Sequence, residues 1–169
     1  MTPRRLVLIR HAKAEAQGGD DSLRRLDPRG ERDAREIGRW LRDSQHTSGV
    51  AVVSPARRTV QTWELAVEEL TGAPRTSIDN RIYRNTVEDL FAVIHEAPPP
   101  ARTLFLVGHN PGIAELAAAL DSGEGDRTAA MAMATKFPTS AIAVFCADGA
   151  WSTLAPGDAS LLSFAVARG

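Results

Sequence analysis

Histidine and arginine side chains follow three short apolar runs of the sequence, close to the point where each run ends. The first run is followed by Arg10 and His11, the second by Arg57 and Arg58, and the third by His109. Guanidinium groups bind phosphate oxygens through paired hydrogen bonds. A neutral imidazole can act as a nucleophile near pH 7, since its unperturbed pKa is about 6.5. These residue types predict a site for a dianion such as a phosphoryl group.

Buried strands are expected to position these side chains. The apolar runs are too short for ordinary helices and are rich in β-branched residues, which is typical of a parallel sheet. They cover residues 6–9, 50–53, 103–107, 141–147 and, more weakly, 161–166. Because ligands bind at the carboxyl ends of parallel strands, the sequence predicts that the histidines and arginines meet at one edge of the sheet.

Helical patterns lie between the strands. Apolar residues recur at intervals of three and four over 31–43, 55–71 and 86–96. Ser54 is expected to cap the second of these helices, with Pro55 in its first turn, and a fourth helix is expected from Pro111 with Asn110 as its cap. This alternation predicts an α/β fold, a three-layer sandwich with a mostly parallel central sheet flanked by helices. The tail from Phe137 onward is expected to be antiparallel, and 121–128 to form a loop.

Composition excludes several classes of protein. The chain has 169 residues, which fits a single domain over 1–169, and its 20 Lys and Arg balance 21 Asp and Glu. That balance argues against a nucleic-acid binder or an anionic-membrane binder. One cysteine permits no internal disulfide, the N-terminal apolar run is too short for a signal peptide, and no run reaches the roughly 20 residues of a membrane span. A cytoplasmic location is therefore expected.

Three motifs together resemble the histidine phosphatase superfamily, whose fold is phosphoglycerate mutase-like. They are Arg10-His11-Ala12, then Ser54-Pro55 with two free positions before Arg58, then Gly108-His109-Asn110. The stretches 10–15 and 21–27 are similar to the short bacterial protein-phosphohistidine phosphatases, although Arg25 replaces a usual Pro and Asp27 a usual Thr. The resemblance covers nearly the whole chain and is thinnest over 121–135.

The resemblance implies a metal-independent phosphatase without a cofactor that works through a phosphohistidine intermediate on His11. Arg10 and Arg58 would clamp the phosphoryl oxygens, and the register of the motif selects Arg58 rather than Arg57. His109 would donate a further hydrogen bond when protonated, and Arg24 is the candidate for a secondary substrate contact. A phosphohistidine-bearing protein is the favoured substrate, and a monomer is expected.

The proton donor for the leaving group is not evident from the sequence. Many family members carry a Glu where Arg84 stands, and Glu15, Asp20, Asp21 and Glu115 are alternative acids that the sequence does not rank. A substrate with a good leaving group needs less help from an acid. Two other functions remain open at this point, a small-molecule phosphomonoesterase and a non-catalytic phosphoprotein-binding module. His46 and His95 lie far from the motifs, so no metal site is expected.

Overall fold

A six-stranded mixed sheet forms the centre of the computed structural model, which describes residues 2–169. Its strands are β1 (Arg4–Arg10), β2 (Val50–Val53), β3 (Arg75–Ile78), β4 (Thr103–Gly108), β5 (Ala141–Ala147) and β6 (Ala159–Val166), in the spatial order β3-β2-β4-β1-β5-β6. The first four strands of that order run parallel, whereas β5 is antiparallel to β1 and to β6. The predicted mostly parallel sheet and the antiparallel tail are both confirmed.

Five α-helices cover the two faces of the sheet within residues 2–169. They are α1 (Pro28–Asp43), α2 (Arg57–Val67), α3 (Val87–His95), α4 (Gly112–Leu120) and α5 (Arg127–Thr135). Successive residues of a strand point to opposite faces, so Leu6 and Leu8 belong to one apolar cluster while Val7 and Ile9 belong to the other. The first cluster packs against α3, α4 and α5, and the second packs against α1 and α2. The predicted three-layer α/β sandwich is confirmed.

Helix α1 packs closely against α2 on one face of the sheet. Asp27 caps α1 by accepting a hydrogen bond from the Gly30 backbone at 2.7 Å, and Pro28 opens the first turn. Gly38 lies against the backbone carbonyl of Ala66 on α2, where a Cβ atom would overlap it. The glycine therefore lets α1 and the C-terminal end of α2 pack closely together.

The predicted starts of two helices are wrong. Helix α2 begins at Arg57 with Ala56 as its N-cap, because the hydroxyl of Ser54 is engaged elsewhere and the chain bends at Pro55. Helix α4 takes Pro111 as its N-cap instead of Asn110, whose amide nitrogen donates to the backbone carbonyl of Phe137 at 2.8 Å. The Ser54 hydroxyl thus contacts His109 and the Asn110 amide contacts Phe137, and neither residue is the N-cap of the helix that follows it.

Two elements have no counterpart in the sequence prediction. Strand β3 is exposed at all four positions, so it lacks the apolar run by which the other strands are recognised. Helix α5 begins at Arg127, inside the expected loop 121–128, and Met133 is its one buried residue. The apolar periodicity of α5 is therefore weak.

None of the helices in residues 2–169 is long and apolar enough to cross a membrane.

Candidate active site

His11 lies directly after β1, with its backbone held from both sides. Its N–H donates to the carbonyl of Gly108 at 3.0 Å, and its carbonyl accepts from the N–H of Ser140 at 3.1 Å. The ring nitrogen Nδ1 lies 2.7 Å from the carbonyl oxygen of Ala12. Because a carbonyl can only accept, Nδ1 carries the proton and Nε2 keeps its lone pair. The structure thus fixes the tautomer in which Nε2 is the nucleophilic atom.

Burial keeps this imidazole neutral. His11 is 7% exposed, and its burial lowers its pKa to about 4, against the opposing hydrogen bond to Ala12. The positive charges of Arg58 and Arg10 contribute to this low pKa. Nearly every His11 ring is therefore unprotonated at pH 7, as nucleophilic attack requires.

Arg58 extends from the first turn of α2 toward His11. It is 5% exposed, and its Nε donates to Nε2 of His11 at 3.3 Å. Its Nη1 donates to the backbone carbonyl of Asp21 at 2.8 Å, and its Nη2 donates to Oδ2 of Asp21 at 3.0 Å. Arg57 is exposed, since neighbouring helical residues point about 100° apart. The structure thus places Arg58, and not Arg57, beside the histidine.

Thr62 links the chain segment after β1 to helix α2. Its hydroxyl accepts a hydrogen bond from the backbone N–H of Ala12 at 3.0 Å and donates to the backbone carbonyl of Arg58 at 2.7 Å. Thr62 is fully buried. This bridge ties the residue that follows His11 to the turn that carries Arg58, so the distance between nucleophile and guanidinium is set by packed elements rather than by a loop.

Arg10 contributes a second guanidinium at the same edge. Its Nη1 donates to the backbone carbonyl of Phe137 at 3.0 Å, while its buried Nε has no hydrogen-bond partner among the residues that the structure describes. Burial lowers the pKa of Arg10, and the positive charge of Arg58 lowers it further. Two like charges that lie close together, one with an unused donor, favour an anionic ligand between them.

His109 follows β4 and completes the group. Its ring centroid lies 5.2 Å from that of His11, and its Nε2 lies 2.7 Å from the hydroxyl of Ser54. That hydroxyl also accepts from the backbone N–H of Ala56 at 3.3 Å, so its own proton is free to be donated to Nε2. In that arrangement Nδ1 of His109 carries the ring proton, and within residues 2–169 this buried atom has no partner.

Burial holds His109 in its neutral form. Burial contributes most to lowering its pKa to about 3, and the positive charge of Arg58 contributes as well. The protonated form expected from the sequence therefore requires a bound dianion, whose charge would raise the pKa. The neutral ring can already donate from Nδ1.

Asp21 places a carboxylate at the rim of the site. Oδ2 accepts from the hydroxyl of Tyr83 at 2.7 Å, and Oδ1 accepts from Nε of Arg24 at 3.0 Å. The hydrogen bond from Tyr83 contributes most to lowering the pKa of Asp21 to about 2, and Arg58 and Arg24 contribute as well. Asp21 is thus ionised at neutral pH and has no proton to give to a leaving group.

The remaining candidate acids lie further out. Glu15, Asp20 and Glu115 are exposed, and Asp20 is occupied in capping the short turn that follows it, where it accepts from the backbone of Ser22. Arg84 is also exposed, with its guanidinium carbon 5.6 Å from the ring centroid of Tyr83. The structure gives none of them a contact with His11.

The other two histidines take no part in the site. The ring of His46 stacks on Trp40, and Nε2 of His95 lies 2.8 Å from the carbonyl of Leu154. Over residues 2–169, no group of three or more His, Cys, Asp or Glu side chains is arranged to hold a metal ion.

All five residues predicted from the sequence reach this edge of the sheet, and two further ones join them. His11, Arg58, Arg10 and His109 surround one another, whereas Arg24 is connected through Asp21. The sequence reasoning gave no role to Tyr83 or to Thr62. Their contacts are made across the fold, so the only signals available were an aromatic residue beside Arg84 and a threonine one helical turn after Arg58.

The chain is similar to several known proteins. The family model of the histidine phosphatase superfamily (branch 1) matches residues 6–82. An uncharacterized protein of Mycobacterium tuberculosis (strain H37Rv) is 36% identical over 95% of this chain and 100% of its own length. A SixA protein of Nakamurella multipartitia, a phosphohistidine phosphatase by assignment, is 30% identical with a TM-score of 0.88 over 100% of this chain and 99% of its own. A second SixA protein with the same assignment, from Agrobacterium tumefaciens, is 26% identical with a TM-score of 0.79 over 98% and 99% of the two chains.

Proposed function

Since this chain belongs to the histidine phosphatase superfamily and is a phosphatase, we propose that it removes the phosphoryl group from phosphohistidine in proteins through an intermediate on His11. The observation that carries the proposal is the orientation of the His11 ring. Nδ1 is held by the Ala12 carbonyl at 2.7 Å, and the lone pair of Nε2 faces the Nε of Arg58 at 3.3 Å. A pure phosphate-binding module has no need of a neutral imidazole in this position.

In the first step, Nε2 of His11 attacks phosphorus, a P–N bond forms, and the bond from phosphorus to the leaving atom breaks. The transition state spreads negative charge over the nonbridging oxygens. Arg58, the unused Nε of Arg10 and Nδ1 of His109 are the donors available to those oxygens. Water then attacks the phosphohistidine, the P–N bond breaks, and Nε2 recovers its lone pair as phosphate and a proton leave.

The charges of the site suit a dianion. Arg10, Arg58 and Arg24 are cationic, Asp21 is anionic, and His11 is neutral at pH 7. The sum is two positive charges, which equals the charge of a phosphoryl group in magnitude. Preorganised donors of this kind usually supply the largest share of catalysis for a reaction that develops charge on oxygen.

The state of Asp21 favours phosphohistidine over alkyl esters as the substrate. Its pKa of about 2 leaves it unable to protonate a departing alkoxide. An imidazole or a phenolate departs with much less assistance. Likeness to the two SixA proteins, which are assigned as phosphohistidine phosphatases, supports the same choice.

The substrate is tested by comparing kcat/KM for a histidine-phosphorylated protein, para-nitrophenyl phosphate and glycerol phosphate, with His11→Ala as the inactive control and His46→Ala as the matched active one. We expect the phosphohistidine protein to be among the faster substrates and glycerol phosphate to be the slowest. Equal kcat/KM for all three would refute phosphohistidine specificity while leaving the phosphatase assignment intact.

A small-molecule phosphomonoesterase is the second candidate, and one feature favours it. A groove of about 600 Å³ lies between α4 and α5 and is bordered by Phe137, whose carbonyl accepts from Arg10, and by Asn110, the residue after His109. Its walls include Ala114, Ala118 and Met133, so it would accept an apolar organic group. If this candidate is correct, a set of small phosphate esters will contain one whose kcat/KM exceeds that of the phosphohistidine protein.

A further inference from the structure

Asp21 accepts hydrogen bonds from three different side chains at the rim of the site. Oδ2 receives Nη2 of Arg58 at 3.0 Å and the hydroxyl of Tyr83 at 2.7 Å, while Oδ1 receives Nε of Arg24 at 3.0 Å. Its backbone carbonyl receives Nη1 of Arg58 at 2.8 Å. Asp21 is thus bonded to Arg58 twice, from the main chain and from the side chain.

The two hydrogen bonds from Arg58 to Asp21 define the orientation of the planar guanidinium group. Nη1 and Nη2 of Arg58 are both engaged by Asp21, and Nε is left facing His11. A guanidinium group has five N–H donors in one plane, so fixing two nitrogen atoms fixes the direction of every remaining donor. One N–H on Nη1 and one on Nη2 stay free, while the N–H of Nε donates to Nε2 of His11. A phosphoryl group at Nε2 of His11 would meet donors that are already oriented.

We propose that Asp21 is the positioning residue of Arg58, setting the guanidinium plane in which the arginine binds the phosphoryl group. Tyr83 and Arg24 keep the carboxylate in place by binding one oxygen each. This inference rests on the proposed function only for the identity of the ligand, because the arrangement applies to any tetrahedral oxyanion.

The surroundings of Asp21 separate this role from one in folding. It opens a three-residue 3₁₀ turn, Asp21–Leu23, in which no residue is buried, and Leu23 is 69% exposed. An amide cannot replace the carboxylate, because Oδ2 and Oδ1 both accept and an Asn side chain offers one acceptor and one donor. Asp21→Asn therefore disturbs Arg58 with little loss of packed apolar surface.

The test is a double-mutant cycle on tungstate affinity, measured by calorimetry, and on kcat/KM for para-nitrophenyl phosphate. The variants are Asp21→Asn, Arg58→Ala and the double variant. The control is Asp20→Asn, which loses the same charge one residue away and keeps the oxygen that caps the turn. We expect Asp21→Asn to weaken tungstate binding and kcat/KM about tenfold or more, to change both less than twofold when Arg58 is already Ala, and Asp20→Asn to change neither.

Two results would overturn the proposal. An equal loss from Asp21→Asn with and without Arg58 would show that Asp21 acts elsewhere, and tighter tungstate binding would show that it competes with the ligand for the guanidinium. Tyr83→Phe, which removes one hydrogen bond to the carboxylate, gives a second reading if Asp21→Asn fails to fold. Tyr83→Phe should cause a smaller loss of tungstate affinity and of kcat/KM, and this loss should also vanish when Arg58 is already Ala. An undiminished loss in the Arg58→Ala background would contradict the proposal. The tungstate cycle needs no turnover, so a coupled cycle in a protein without phosphatase activity would refute the proposed function and leave the role of Asp21 intact.

Discussion

Replacement of Arg58 by Ala should abolish most of the activity, whereas replacement of its neighbour Arg57 should be mild. Arg58 is 5% exposed and donates to Nε2 of His11, while Arg57 lies on the exposed side of the same helical turn. Loss of one preorganised donor to a charged transition state costs about 3–4 kcal/mol, which corresponds to roughly a hundred- to a thousandfold in rate. We therefore expect kcat/KM of Arg58→Ala to fall at least a hundredfold, and that of Arg57→Ala to fall less than about threefold.

Steady-state hydrolysis of para-nitrophenyl phosphate measures both variants, with thermal unfolding as the check that each is folded. Arg58→Lys adds a graded comparison. It keeps the charge but lacks the planar set of donors that binds Asp21 and faces His11, so it should recover little of the loss. A larger effect at Arg57 than at Arg58, or a loss below about tenfold at Arg58, would refute the orientation of this helix turn relative to the nucleophile.

Four further predictions concern the protons of the site, its independence of metal, the leaving group and the backbone. In an NMR titration His11 and His109 should stay neutral until the pH falls to about 4 and about 3, respectively. Since the unfolded chain binds these protons from about pH 6.5 downward, the free energy of unfolding should decrease as the pH falls from about 6.5 to about 3. Titration of both histidines near pH 6.5 would contradict their burial. EDTA should leave the rate of phosphate ester hydrolysis unchanged. Hydrolysis rates should fall steeply from aryl to alkyl phosphates, because Asp21 is ionised and cannot protonate the leaving group. Equal rates for the two kinds of ester would reveal a proton donor. Ser140→Gly should raise the free energy of unfolding, measured by chemical denaturation, by about 1 kcal/mol. Ser140 has φ 65°, which favours glycine, and its buried hydroxyl has no hydrogen-bond partner within the described chain. A decrease of the same size would contradict this explanation.

The strands that carry the site could be predicted because they are buried on both faces. Each of β1, β2, β4 and β5 contains a continuous apolar run, and the parallel arrangement brings the carboxyl ends of β1, β2 and β4 to one edge. The convergence of His11, Arg58 and His109 followed from that arrangement and from the motifs. Strand β3 was missed because an exposed edge strand has no apolar pattern to detect.

The contacts that tune the site could not be predicted, because they join residues that are distant in sequence. Ser54 has the right type and place for a helix cap, yet its hydroxyl lies 2.7 Å from Nε2 of His109, 55 residues away. Asp21 reaches Arg58 and Tyr83 across 37 and 62 residues. Local propensity carries no information about such partners, and the low pKa of Asp21, which removes it from the candidate acids, arises from them.

The most direct test of the central claim is to trap the phosphorylated enzyme. Rapid quenching of wild-type protein with labelled substrate should give a phosphoenzyme that is labile in acid and stable in base, and mass spectrometry should place the phosphoryl group on His11. The matched variant His46→Ala, which changes a histidine stacked on Trp40 outside the site, should give the same phosphoenzyme. If the label appears on another residue, or if His11→Ala retains more than a few per cent of wild-type turnover, His11 is not the nucleophile.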